Sequence, residues 1–387
     1  MKKPRRKSSR RDFLKGKAAA DALGDVVDEI GASGTTDSAG TASACTPAER
    51  RREGLLLEVG RRAMACQFQV FAPMRDSAED MEAILAALDC VDMWEDRLSV
   101  FRPQSEISRI NRLAPETECV IEPETFELLE RCLSYYETTG GAFDITAAPL
   151  VRVWGFHARQ GRFPTDQELR DALARVGSHH VELNRATHGV RFAHPDMEIN
   201  LGSVGKGFAL DQCAQGLDAA GLNDYLIHGG HSSILARGSR SADGKARGWR
   251  VRLRHPLRPE QVLAELRLQD QALATSGSGR QFFYHKGHRY GHVIDPRSGY
   301  PADTVLSVTV VGPSGEQTDA LATAFFVMGI EATRTLCRSM PELSVVFVRR
   351  GPRTGSVVLE TIAMDDQSLA VADGVMVENG PSKNQTA

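Results

Sequence analysis

The spacing of apolar residues along the chain changes period several times, and each change marks an element. Cys66, Phe68, Val70 and Ala72 alternate, which predicts a strand. Beyond it Met81, Ile84, Leu85, Leu88 and Val91 recur at helical spacing behind a cap at Asp76 or Ser77. Pro123 opens a second helix that carries Phe126, Leu129 and Cys132 and stops at Gly140-Gly141, and Thr165 with Glu168 forms the capping box of a third. Trp249-Arg250-Val251-Arg252-Leu253 and the stretch from Leu306 to Val311 read as strands. Strands and helices interleave without a regular βαβ rhythm or a repeat of fixed period, so the class is α+β.

The ends differ from this middle. Residues 1–17 hold five Lys and four Arg against one Asp, and Ser9-Arg10-Arg11-Asp12-Phe13-Leu14-Lys15 resembles a twin-arginine export motif. The apolar region that should follow is interrupted by acidic residues, Asp21, Asp25, Asp28 and Glu29, so both export and the cytoplasm stay open. Ala42-Ser43-Ala44-Cys45 lacks the large aliphatic residue of a lipoprotein cleavage site and sits in a Gly/Ser/Thr tract. The expected organisation is a disordered segment over 1–56, a domain over 57–364 and a polar tail over 365–387. A net charge of −3 gives no basis for a nucleic-acid partner. No run of about 18 apolar residues is seen, so no transmembrane helix is expected. Seven cysteines without a CxxC pair argue against a disulfide scaffold or zinc ribbon.

Three stretches can carry chemistry. Asn200-Leu201-Gly202-Ser203-Val204-Gly205-Lys206-Gly207 is a Gly-rich turn ahead of a helix, able to present backbone N–H groups and a lysine to a phosphate. It is not a Walker loop, because Gly207 stands where Ser or Thr must follow the lysine; alone it reads more readily as a tight turn. In His292-Val293-Ile294-Asp295-Pro296 a histidine suited to take a proton from a hydroxyl stands near a carboxylate that can orient it. The alternative is a core histidine beside a turn-capping Asp. A metal reading of His285, His288 and His292 is weakened by the hairpin turn expected at Lys286-Gly287. Asp319 and Thr323, four apart near a helix start, form a carboxylate–hydroxyl pair fit for Mg²⁺, or an ordinary capped helix.

Together these stretches resemble the ApbE family of FAD:protein FMN transferases. The family pattern is matched in order by Met64-Ala65-Cys66, Ser99-Val100-Phe101, Ser105-Glu106, Phe143-Asp144-Ile145-Thr146, Pro149-Leu150 and Trp154-Gly155-Phe156. The Gly-x-x-Lys-Gly turn, Gly229-Gly230, Ser276-Gly277, the His292 stretch and Asp319/Thr323 then follow. The resemblance implies a T-fold-related α+β domain with a flavin-binding cleft, in which FMN passes from FAD to a Thr or Ser hydroxyl of a partner protein and AMP leaves. The partner expected is a membrane-associated electron-transfer subunit. By the same resemblance, Asp319, Thr323 and the Gly205 carbonyl hold Mg²⁺, and His292 is the base with Asp295 as its orienter. Lys206, Ser276 and Gly277 contact FAD, while Met64, Phe101 and Asp144 line the cleft. The chain departs from the pattern at Ala65-Cys66, Asn200, His231 and Ser278. The same residues would serve an FAD pyrophosphatase giving FMN and AMP, and the departures leave room for a non-catalytic FAD-binding protein.

Overall fold

The computed structural model describes residues 56–379 apart from 75–77, 159, 241–247, 279–280 and 366. The export-like segment, Cys45 and the proposed Asp76/Ser77 cap lie outside the described residues. From the N-terminus the strands are β1 (Leu56–Ala63), β2 (Cys66–Pro73), β3 (Cys119–Val120), β4 (Val181–Asn184), β5 (Gly189–Phe192), β6 (Tyr225–Gly229), β7 (Ser233–Arg237), β8 (Trp249–His255) and β9 (Arg258–Leu268). They continue as β10 (Gln271–Gly277), β11 (Phe282–His285), β12 (His288–Gly291), β13 (Ser307–Gly312), β14 (Ser344–Arg350), β15 (Val357–Ile362), β16 (Leu369–Val371) and β17 (Met376–Asn379). The helices are α1 (Ala78–Leu98), α2 (Glu106–Leu113), α3 (Pro123–Thr138), α4 (Ala148–Val153), α5 (Asp166–Leu173), α6 (Gly205–Ala219) and α7 (Gly315–Cys337).

Nine strands form one sheet in the order β1-β2-β6-β7-β10-β13-β14-β15-β17, antiparallel until the parallel β15–β17 pair. Helices α1, α6 and α7 cover one face through a core that includes Leu88, Trp94, Phe208, Leu210, Phe325 and Phe326. The three-stranded sheet β16-β9-β8 covers the other face through Trp249, Leu266, Val346 and Leu359. Central strands are thus buried on both faces, and β13 is buried at every residue, its polar Ser307 and Thr309 included.

Most predicted elements are present. The α3 helix starts at Pro123 and ends before Gly140 and Gly141, both at positive φ. The capping box of α5 is complete, with Thr165 accepting from Glu168 N and the Glu168 side chain accepting from Thr165 N. Two expectations are corrected. The tail from 365 is not a separate appendage, because β16 pairs with β9 and β17 extends the main sheet. Helix α7 holds an 18-residue stretch of mean hydropathy 1.3, long and apolar enough to cross a membrane, where no such run was expected. Its apolarity serves the core: Leu321, Phe325 and Phe326 are buried against the sheet, and Gly329 at φ 74° breaks its axis.

Candidate active site

A cavity of about 930 Å³ opens at the end of the main sheet where α6, β6, β7, β10, α7 and the segment after β12 meet. That volume is at the upper end of ligand sites, which run from about 300 to 1,000 Å³, and suits a dinucleotide better than a small metabolite.

The acidic corner is built by close packing of two helix starts. A Cβ on Gly207 would fall 2.0 Å from the Gly315 carbonyl oxygen, and one on Gly315 would fall 2.6 Å from that of Gly207. Only glycine at both positions lets α6 and α7 approach so closely. Asp211 of α6 then caps α7, accepting from Ser314 Oγ at 2.8 Å, Gly315 N at 2.7 Å and Glu316 N at 2.9 Å. This clamp fixes the first turns of α7 and with them Asp319. The Asp319 carboxylate accepts from Gly207 N (2.8 Å) and Ser233 Oγ (2.6 Å), with Lys206 Nζ at 3.4 Å. One turn on, Thr323 Oγ1 donates to the Asp319 carbonyl and lies 3.3 Å from Ser276 Oγ.

Across the cavity, His292 is held by the Gln281 carbonyl, which accepts from its backbone N–H (3.2 Å) and lies 3.3 Å from ring Nδ1. With Nδ1–H donating there, Nε2 is the acceptor nitrogen. Burial pulls the His292 pKa below the usual histidine value, so the ring is neutral near pH 7. Phe156 meets it edge-on, and Trp154 anchors the loop by donating from Nε1 to Gly299 O at 2.8 Å. The Trp-Gly-Phe stretch therefore acts as the packing base for the histidine loop.

Of the residues expected from sequence, Asp144, Lys206, Ser276, Gly277, His292, Asp319 and Thr323 line this one cavity. Four expectations are corrected. Asp295 does not hold His292: its carboxylate accepts from Arg297 N, Nε and a terminal NH₂, each at 2.9 Å. Gly205 lies buried in the first turn of α6, off the cavity wall, while Ser203 of the same turn lines it. Met64, at φ 47° in the β1–β2 turn, packs on the core instead. Phe101 is also off the wall, 73% exposed and stacked on His157. Asp144 lines the cavity, but its carboxylate is engaged by Thr146 and Ser178. Asn200 is likewise turned on its own loop, accepting from Gly202 N at 2.9 Å.

Sequence reasoning missed Ser233, whose hydroxyl reaches Asp319, because the contact spans 86 positions. It also missed that β8 lines the cavity from Arg250 to His255. Among the described residues no group of three His, Cys, Asp or Glu side chains is placed to hold a metal.

A lysine, a carboxylate–hydroxyl pair and a neutral histidine around a cavity of dinucleotide size define an enzyme site for a phosphorylated ligand. The ApbE family model matches residues 64–347, and the chain belongs to that family. It is 33% identical over 298 residues to the FAD:protein FMN transferase of Treponema pallidum, covering 73% of this chain and 81% of the relative. With that of Vibrio cholerae it shares 32% over 257 residues, 65% and 75% of the two chains. Among solved structures it resembles the ApbE protein of Thermotoga maritima (TM-score 0.69, 26% identity, 76% and 94% covered). The flavin transferase ApbE of Vibrio cholerae is similar to the same degree (TM-score 0.68, 27% identity, 77% and 94% covered).

Proposed function

We propose that this protein transfers the FMN half of FAD to a Thr or Ser hydroxyl of a partner protein, with release of AMP and with Mg²⁺ at Asp319 and Thr323. The observation that carries the reading is the convergence of Lys206, Ser276, His292, Asp319 and Thr323 on one cavity, in a chain whose relatives are FAD:protein FMN transferases.

The donor set fits the metal. A carboxylate and a hydroxyl one helical turn apart offer only oxygen, the chemistry a hard cation takes, and Mg²⁺ completes such sites with phosphate oxygens and water. Asp319 keeps acceptor capacity, since two short hydrogen bonds leave lone pairs of its two oxygens unused. When bound there, Mg²⁺ neutralises charge on the phosphoryl oxygens. Lys206 adds a positive charge beside the same carboxylate. His292 takes the proton of the acceptor hydroxyl at Nε2, as its neutral state allows. The hydroxyl oxygen bonds to the FMN phosphorus, the bond from that phosphorus to the bridging oxygen breaks, and AMP leaves with that oxygen.

Incubation of the purified protein with FAD, with and without Mg²⁺ and a Thr-containing acceptor peptide, tests this by chromatography and mass spectrometry. AMP formed in step with a flavin-bearing peptide, only with Mg²⁺, is the expected result. Free FMN and AMP without acceptor would make the protein a pyrophosphatase, and intact FAD in every tube would make it a flavin-binding protein.

A further inference from the structure

The β6–β7 hairpin carries a feature that the transfer chemistry does not use. His228, at the end of β6, is 1% exposed and belongs to the cavity wall. Neither of its ring nitrogens has a hydrogen-bond partner among the described residues, although a buried unpartnered polar group costs about 1–3 kcal/mol. Its ring is stacked between Phe71 (centroids 5.9 Å, 28°) and His231 (4.6 Å, 30°). His231, also on the cavity wall, is exposed and sits in the turn at φ 61°. A non-glycine residue in that region is strained, and such strain persists where the surroundings fix it. The turn is fixed on both sides: Gly230 N donates to Gln67 O at 2.9 Å, and Thr275 N donates to Ser232 O at 2.8 Å. Three rings thus form a column that ends in the cavity.

We infer that His231 is a stacking platform for a planar heterocycle of the bound dinucleotide, backed by His228 and Phe71. The inference rests on the reading of the cavity as an FAD site. A ring laid on His231 continues a stack whose geometry is already set, so the cost of ordering the platform is met before the ligand arrives. His228 faces the cavity as a neutral ring, because burial, together with His231, lowers its pKa to about 3. A neutral ring behind His231 leaves the platform uncharged and suited to any planar heterocycle. Both rings of FAD, adenine and isoalloxazine, have this chemistry.

The test is equilibrium titration of FAD, ADP and FMN against the full-length protein and two variants, a readout that needs no turnover. His231→Gly removes the ring and relieves the backbone strain, so thermal stability should be kept while the FAD Kd rises about tenfold, within the range of base–aromatic stacking. His231→Phe keeps a ring and should bind FAD within about twofold of the parent. The loss in His231→Gly should appear with ADP or with FMN and not with both, and the ligand affected identifies the stacked ring. An unchanged FAD Kd in His231→Gly overturns the inference. Equal losses in both variants would make the contact a hydrogen bond and overturn it as well. If the parent binds neither FAD, ADP nor FMN, it is the reading of the cavity that fails.

Discussion

Two corners of one cavity are built in opposite ways. At the Asp319 corner the carboxylate has donors from a backbone amide, a serine and a lysine, and the helix that carries it is capped from a second helix. The cavity's histidines are held more loosely: His292, across from that corner, holds to a single carbonyl, and His228 on the β6–β7 hairpin has no polar partner among the described residues. The difference separates what must be rigid before a ligand binds from what the ligand completes. A charge in low dielectric needs its partners in place at folding, since an unpaired buried carboxylate would take up a proton instead. A neutral imidazole tolerates an open valence at moderate cost, so the groups that meet substrate are the less satisfied ones.

The sharpest way to break this contrast is to remove the group with the fewest ties. His292→Ala should lower kcat for AMP release by about 10²–10⁴-fold, the usual contribution of a general base, while the FAD Kd stays unchanged because the imidazole makes no tie to the Asp319 corner. Because burial lowers its pKa, the neutral base predominates at pH 6.5, and the acid limb of the parent kcat profile should fall below that pH. A limb above pH 6.5, or an equal loss of FAD binding, would assign His292 a different role. The opposite corner is tested through Ser233, whose hydroxyl donates to the carboxylate. Ser233→Ala should raise the Mg²⁺ concentration for half-maximal rate by about 10–100-fold, as loss of a group that orients a metal ligand does, with kcat recovered at high Mg²⁺. Ser233→Thr, which keeps the hydroxyl, should restore the parent response.

What the sequence made legible follows the same division. Element types, the capping box of α5, and the cavity positions Lys206, Ser276, His292, Asp319 and Thr323 were readable because each depends on local spacing or on a motif in order. The roles assigned to Asp295 and Gly205 were misread because proximity along the chain stood in for direction in space. Asp295 is three residues from His292 yet turns to Arg297, and the Gly205 carbonyl lies within the first turn of a helix rather than in the loop before it. Ser233, His228 and His231 come from one hairpin whose register against β10 and against β2 is a tertiary fact. The β16 and β17 strands were missed for a related reason: edge strands of three and four residues owe their form to the neighbours they pair with.

The cost of the open valence at His228 can be read from the pH dependence of stability. Its folded-state pKa of about 3 lies below the unfolded value near 6.5, so between those two values the unfolded chain binds the additional proton. Stability is therefore complete above about pH 6.5 and falls as the pH drops towards 3, by at most about 1.4 kcal/mol per pH unit. Phe71 and His231 are the rings against it, and His231 is the titratable one. Between pH 7.5 and 5.0 the parent should lose about 2 kcal/mol more than His228→Phe in urea denaturation. That variant keeps the column of rings and cannot protonate. Parallel curves for the two proteins would mean that His228 has a partner or water access in the folded state.

The smallest effect should come from the residue that sequence proximity made most prominent. Asp295→Asn removes the charge beside Arg297 and keeps an oxygen for the Arg297 backbone N–H, which Asp295 accepts at 2.9 Å. The loop also keeps its main-chain ties, since Asp295 N donates to Tyr300 O and Gly299 N to Asp295 O, both at 2.8 Å. The partly exposed Arg297–Asp295 pair contributes no more than about 1 kcal/mol to folding, so unfolding should shift by that amount or less. Turnover should stay within about twofold of the parent, because His292 takes its orientation from the Gln281 carbonyl. A fall in kcat approaching that of His292→Ala, with FAD affinity kept, would instead require the carboxylate to leave Arg297 and reach the imidazole during the reaction. It would then make this loop, and not the rigid Asp319 corner, the part of the cavity that rearranges.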